Sequence, residues 1–120
     1  MRIRINPLDR LFSLLIRRRD HYTCQRCLKA YSENSQGLHC AHIFGRRSNS
    51  TRYDEANAVA LCYGCHVYLD THPLEKYDWY IRKFGQEAFD RIRIRSKMVV
   101  KLDRKILALV LQEKLKALEA

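Results

Sequence analysis

The spacing of hydrophobic positions changes along the chain, and the changes lay out its elements. Leu8, Leu11, Phe12 and Leu15 fall at i, i+3, i+4 and i+7, the spacing of one helix face. Asn6-Pro7 stands just before them, a cap followed by a first-turn proline, so a helix is predicted to start there. Arg10, Arg17, Arg18 and Arg19 lie on or near its other side, where they could meet phosphate or simply face solvent. Residues 22–36 read as a tight Cys-x-x-Cys turn followed by a polar loop. Leu38 to Phe44 is short and mostly apolar, consistent with a strand, and Ala58 to Leu61 is a second one. The polar, arginine-bearing loop Gly45 to Tyr53 joins them. A helix is predicted from Cys62–Tyr63 to about Asp70. Strand, loop, strand and helix in that order make a ββα unit, and the fold class is α+β.

Past Thr71 the pattern turns helical. Pro73 sits in a first turn, Leu74, Tyr77, Ile81 and Phe84 line one face, and Gly85 fits the stop. Residues 91–95 alternate like a strand, but Phe89 and Ile92 suit a helix, which is the preferred reading of 86–96. The last helix has Asp103 as cap and Leu102 with Leu107 as a hydrophobic staple. Ile106, Leu107, Leu109, Val110, Leu111, Leu115 and Leu118 make it more apolar than a lone surface helix needs. It either packs across the domain or meets a second copy, so the expectation is a monomer or a homodimer through this helix.

A length of 120 residues gives one domain with a modest core. Formal net charge is +10, from 23 Lys and Arg against 13 Asp and Glu. That excess suits a polyanionic partner, most simply nucleic acid, although solubility alone could account for it. No apolar run is long enough to span a membrane, and Arg17-Arg18-Arg19 follows rather than precedes the run Leu14-Leu15-Ile16, unlike a signal peptide. A reducing cytoplasm is the expected compartment.

The cysteine count is five, which is odd, and four of them form two Cys-x-x-Cys pairs. Such a turn presents two sulfurs to one ion, and two turns complete a tetrahedron, so Cys24, Cys27, Cys62 and Cys65 are predicted to hold a structural Zn²⁺. Cys40 is left over and reads as a buried strand residue, and His21 reads as a surface residue.

Around the cysteines stand Arg19-Asp20-His21-Tyr22-Thr23-Cys24-Gln25-Arg26-Cys27, then Ala41-His42-Ile43, then Asn57-Ala58-Val59-Ala60-Leu61-Cys62-Tyr63-Gly64-Cys65-His66. In order and spacing these segments resemble the HNH, or ββα-metal, endonucleases over roughly residues 17–72. The part after the motif looks like that of phage-borne members, including the Rap/NinG type of recombination nuclease. The resemblance implies a lead-in helix over 1–21, a zinc-stapled ββα-metal core over 22–72 and a helical region over 73–120. It implies a DNA endonuclease leaving 5′-phosphate and 3′-hydroxyl ends, in the cytoplasm of a bacterium or a phage-infected host. His42 would be the general base, His66 a ligand of a catalytic divalent metal such as Mg²⁺, Mn²⁺, Ni²⁺ or Zn²⁺, and Asn57 the residue that holds the His42 loop. Arg46, Arg47 and Arg52, in the loop beside His42, would meet phosphate.

One position departs from the pattern. Many relatives carry Asp or His immediately before the catalytic His as a metal ligand, and here that position is Ala41. His39 and Asp70 are the leading replacements, with His72 behind them. The competing reading is a zinc module that binds nucleic acid without cutting it.

Overall fold

The computed structural model describes residues 6–45 and 49–119. Helix α1 spans Pro7–Arg19, and the Asn6 side chain caps it by accepting from the Leu8 N–H at 2.9 Å. Strand β1 (Leu38–His42) pairs antiparallel with β2 (Ala58–Cys62), placing His39 opposite Leu61 and His42 opposite Ala58. Between them lie a short helix, α2 (Asn49–Arg52), and a 3₁₀ turn, Glu55–Asn57. Helix α3 (Tyr63–Thr71) follows β2 directly. Then come α4 (Pro73–Phe84), α5 (Gln86–Ser96) and α6 (Arg104–Glu119). The fold is α+β, mostly helical around a two-stranded sheet. Among the described residues no helix is long and apolar enough to cross a membrane.

Two apolar clusters hold these elements. One joins the sheet to α3, α4 and α5 through Ile43, Val59, Leu61, Leu69, Tyr80 and Ile92. The other joins α1 to α6 and β2 through Phe12, Leu15, Ile16, Ala58, Leu111 and Leu115. Helix α6 therefore packs across the domain onto α1, and Arg18 pairs with Glu119 at 3.2 Å. Asp103 caps it through the Ile106 N–H at 3.0 Å. Its outer positions Ile106, Leu109, Val110 and Leu118 stay exposed.

Two expectations shift, and a third reading holds. The loop predicted over Gly45–Tyr53 contains α2, because Asn57 and Thr51 pin its end from inside. On α4 the buried face is Tyr77, Tyr80 and Ile81, whereas Leu74 and Phe84 are exposed. Residues 86–96 are helical, the preferred reading, and the helix separates Ile92, fully buried, from Ile94, which a strand would have turned to the same side. Arg46 and Arg47, expected to contact phosphate, lie outside the described residues.

Candidate metal centre and catalytic cleft

The end of α1 docks onto the sheet through a pair of neighbouring charges. Arg19 donates to the Glu55 and Ala58 carbonyls at 2.7 and 2.8 Å and holds Asp20, which in turn accepts from the Ala60 N–H at 2.8 Å. The chain then turns through His21 and Tyr22, both at positive φ. The Gln25 N–H reaches the Ala60 carbonyl at 2.9 Å, so the first Cys-x-x-Cys turn is laid against β2 just before the second begins.

This docking brings four thiols together. The sulfurs of Cys24, Cys27, Cys62 and Cys65 all lie within 4.8 Å of one another. Among the described residues this is the one group of three or more such donors at that spacing. The peptide N–H groups of Cys27 and Cys65 point at the sulfurs of Cys24 and Cys62, each at 3.4 Å, and Arg26 reaches Cys65 at 3.5 Å. Burial pushes the Cys24 thiol up, but peptide N–H groups, led by that of Cys27, bring it down to about 7. Burial pushes Cys65 up to about 12, against the pull of Arg26. Four crowded sulfurs, with N–H groups aimed at two of them and no disulfide, are a soft donor set that fits one tetrahedral ion such as zinc. Cys40 stands apart, half-buried against the α1–α6 cluster.

A cleft of about 870 Å³ opens beside this centre. One wall is α1, through Asp9, Arg10, Ser13 and Arg17; opposite it are the loop Asn34–Gln36 and the α3–α4 residues His66, Asp70 and Lys76. His39, Cys40 and His42 line it from β1. His42 Nε2 lies 2.8 Å from the Arg52 carbonyl oxygen. A carbonyl can only accept, so Nε2 carries the proton and Nδ1 is the basic nitrogen of the neutral ring. Arg52 itself is held in a two-pronged pair with Asp9 of α1, at 3.0 and 2.5 Å. Its Nε and one amino group are thus committed within the chain, where the sequence had suggested a phosphate contact. Nothing in the sequence links Asp9 to Arg52, 43 positions away; an acidic residue in a first helical turn reads as a match to the helix dipole.

Asn57 is fully buried. Its amide oxygen accepts from the Phe44 N–H at 2.9 Å, and its amide nitrogen donates to the carbonyls of Phe44 and Thr51 at 3.0 and 3.1 Å. Three bonds from one side chain close the segment from Phe44 to Thr51 on itself, immediately after His42. Asn57→Ala would strand these buried backbone groups, each at a cost of about 1–3 kcal/mol. The expected loss is about 3 kcal/mol of stability, read from urea unfolding; a loss below 1 kcal/mol would mean that the loop does not depend on this side chain.

His39 and His66 meet across the sheet–helix junction, with their Nδ1 atoms 3.0 Å apart. Two nitrogens each about 2.0–2.1 Å from one ion lie about 3 Å apart, so this pair fits two places on a single metal. Asp70 does not add a third donor at that spacing. It accepts at 3.1 Å from the far nitrogen of His66, Nε2, and is held by Lys76 at 3.0 Å. That is how a carboxylate orients a ligating imidazole from behind. Burial lowers the His66 pKa against the opposing pull of Asp70, with His39 and Lys76 lowering it further, so the ring is neutral near pH 7. His72 points elsewhere, stacked on Tyr68 with Nδ1 at 2.8 Å from the Tyr68 carbonyl. Ala41 is 1 % exposed and packs in the core opposite Val59, so an ionisable side chain there would be buried among apolar groups.

Comparison of the chain with protein-family models, with curated proteins and with solved structures finds no match.

Proposed function

We propose that the chain is a metal-dependent DNA endonuclease of the HNH kind, with β1, β2 and α3 as its ββα-metal unit. One observation carries the reading: His39 and His42 of β1 and His66 of α3 line a single cleft beside a four-cysteine centre. The net charge of +10 supports a polyanionic substrate. In this reading Cys24, Cys27, Cys62 and Cys65 hold a structural zinc, and His39 and His66 hold the catalytic divalent ion through Nδ1, with Asp70 fixing the His66 ring. The bound ion would offset negative charge on the scissile phosphate and on the departing oxygen.

The rest is the work of the chain's own groups. The Arg52 carbonyl holds the proton of His42 on Nε2, so Nδ1 takes a proton from the attacking water. The water oxygen bonds to phosphorus, the bond from phosphorus to the 3′ oxygen breaks, and that oxygen is protonated from solvent. The products are a 5′-phosphate and a 3′-hydroxyl. Asn57 keeps the segment after His42 closed, and the Asp9–Arg52 pair ties it to α1.

The alternative, a zinc module that binds nucleic acid without cutting it, draws its support from Ala41, which brings no ligand. A plasmid-nicking assay in Mg²⁺, Mn²⁺, Ni²⁺ or Zn²⁺ separates the two. Conversion of supercoiled to nicked DNA with at least one ion is expected. Inertness toward duplex, single-stranded and branched DNA with every ion, in a protein that still binds DNA, would select the alternative.

A further inference from the structure

The four arginines of α1 are alike in sequence but divide in two in the fold. Arg19 is spent on the Glu55 and Ala58 carbonyls and on Asp20, and Arg18 on Tyr22 and Glu119. Arg10 and Arg17 instead line the cleft with His39, His42 and His66. Arg10 is exposed and makes no side-chain hydrogen bond or ion pair among the described residues; Arg17 leans on Ser13 through Nε alone, at 3.2 Å. Ser13 lies between them on the same wall. The loop Asn34-Ser35-Gln36, which also lines the cleft, is polar and uncharged, and Asp70, the carboxylate that lines it from α3, is held by His66 and Lys76.

Resting on the nuclease reading, we propose that Arg10 and Arg17 are the phosphate-binding residues of the cleft, and that the cut strand runs along α1, gripped by its backbone rather than read by its bases. Seven residues of helix rise about 10.5 Å. One strand of a duplex advances about 3.4 Å along the duplex axis per phosphate. The two guanidiniums are therefore far enough apart to meet two different phosphates of one strand, on the same face as the histidines. Guanidinium matches phosphate in shape and charge. The substrate class is a nucleic-acid strand recognised by its backbone, with little sequence preference.

The test is the salt dependence of binding. Fluorescence anisotropy of a labelled 20-base-pair duplex is followed from 50 to 300 mM KCl, with Ca²⁺ as the ion, in the His42→Ala background. Each lost phosphate contact should flatten the slope of log K against log salt by about 0.9. Arg10→Gln with Arg17→Gln should flatten it by about 1.8 and weaken binding about tenfold or more at 100 mM. Arg10→Lys with Arg17→Lys should keep most of the slope, and Arg91→Gln, a surface residue paired with Glu87, should leave it unchanged. Zinc content and melting temperature check that the fold is kept; if the glutamine pair does not fold, the two single variants, each expected to lose about 0.9, decide. A wild-type slope in folded glutamine variants would overturn this assignment and leave the nuclease reading standing. Absence of any DNA binding by the parent protein would overturn both.

Discussion

Cys24→Ser is expected to yield a chain that binds no zinc and is largely unfolded. The Cys24 side chain is fully buried, and its sulfur lies within 4.8 Å of the other three. Serine would put a harder, poorer donor in that place and break the tetrahedron. A zinc held there would couple the turn at 24–27 to the junction of β2 and α3, which otherwise meet mainly through the Gln25–Ala60 hydrogen bond and a few packed side chains. Structural zinc sites contribute about 10–16 kcal/mol in small peptides. A whole domain is stable by only about 5–15 kcal/mol. The site is thus large enough to decide whether a core of this size folds. Elemental analysis should find one zinc per chain in the natural protein and none in Cys24→Ser. Circular dichroism should show the loss of helix, and a strong chelator should reproduce it. Cys40→Ser, outside the group, should keep zinc and fold. A Cys24→Ser protein that melts at the natural temperature would remove zinc from the account of stability.

His42→Ala is expected to abolish cleavage and spare the fold. The ring is half-buried and hydrogen-bonded to the Arg52 carbonyl, and losing such a bond costs about 1 kcal/mol. A general base contributes about 10²–10⁴-fold in rate, so nicking should fall at least about a hundredfold. Zinc content, melting temperature and DNA affinity should stay close to those of the natural protein. That combination separates a chemical role from a structural one. A His42→Ala protein that cuts at the natural rate would dismiss His42 as the base and turn attention to His39, on the same strand. The reverse pattern, loss of fold with loss of activity, would make His42 a packing residue against Phe12, whose ring centroid is 5.7 Å away.

The two variants differ because the two sites are built differently. Cys24 and Cys65 belong to the apolar cluster that joins the sheet to α3, α4 and α5, and Cys62 packs against it, so an ion held there would bear on the whole fold. The histidines line an open cleft between α1 and α3, where each can be lost locally.

Much of this was legible in the residues because it depends on short range. Period, caps and breakers act within one or two turns, so α1, α3, α4, α5 and α6 could be placed from Asn6-Pro7, Pro73, Gly85 and Asp103. The paired cysteines were legible for the same reason: two residues between cysteines fix a local turn, and that turn has few uses. Helix α2 was not legible, because Asn49–Arg52 is polar and is held by a buried bond from Asn57 to the Thr51 carbonyl. The buried face of α4 was misjudged at Leu74 and Phe84, since periodicity gives a face but not where its neighbours end.

The sequence by itself determined the α+β class, the order of helices and strands, and the four cysteines that belong together. Only the tertiary structure decided which residues meet across long separations. It set His39 against His66, put Asp70 behind His66 and closed Asp9 on Arg52. It also buried Ala41 in the core and divided the α1 arginines between the fold and the cleft. The reason is physical: local spacing fixes the direction of a side chain on its own element. Its partner is fixed by how elements pack, and that depends on the whole core at once.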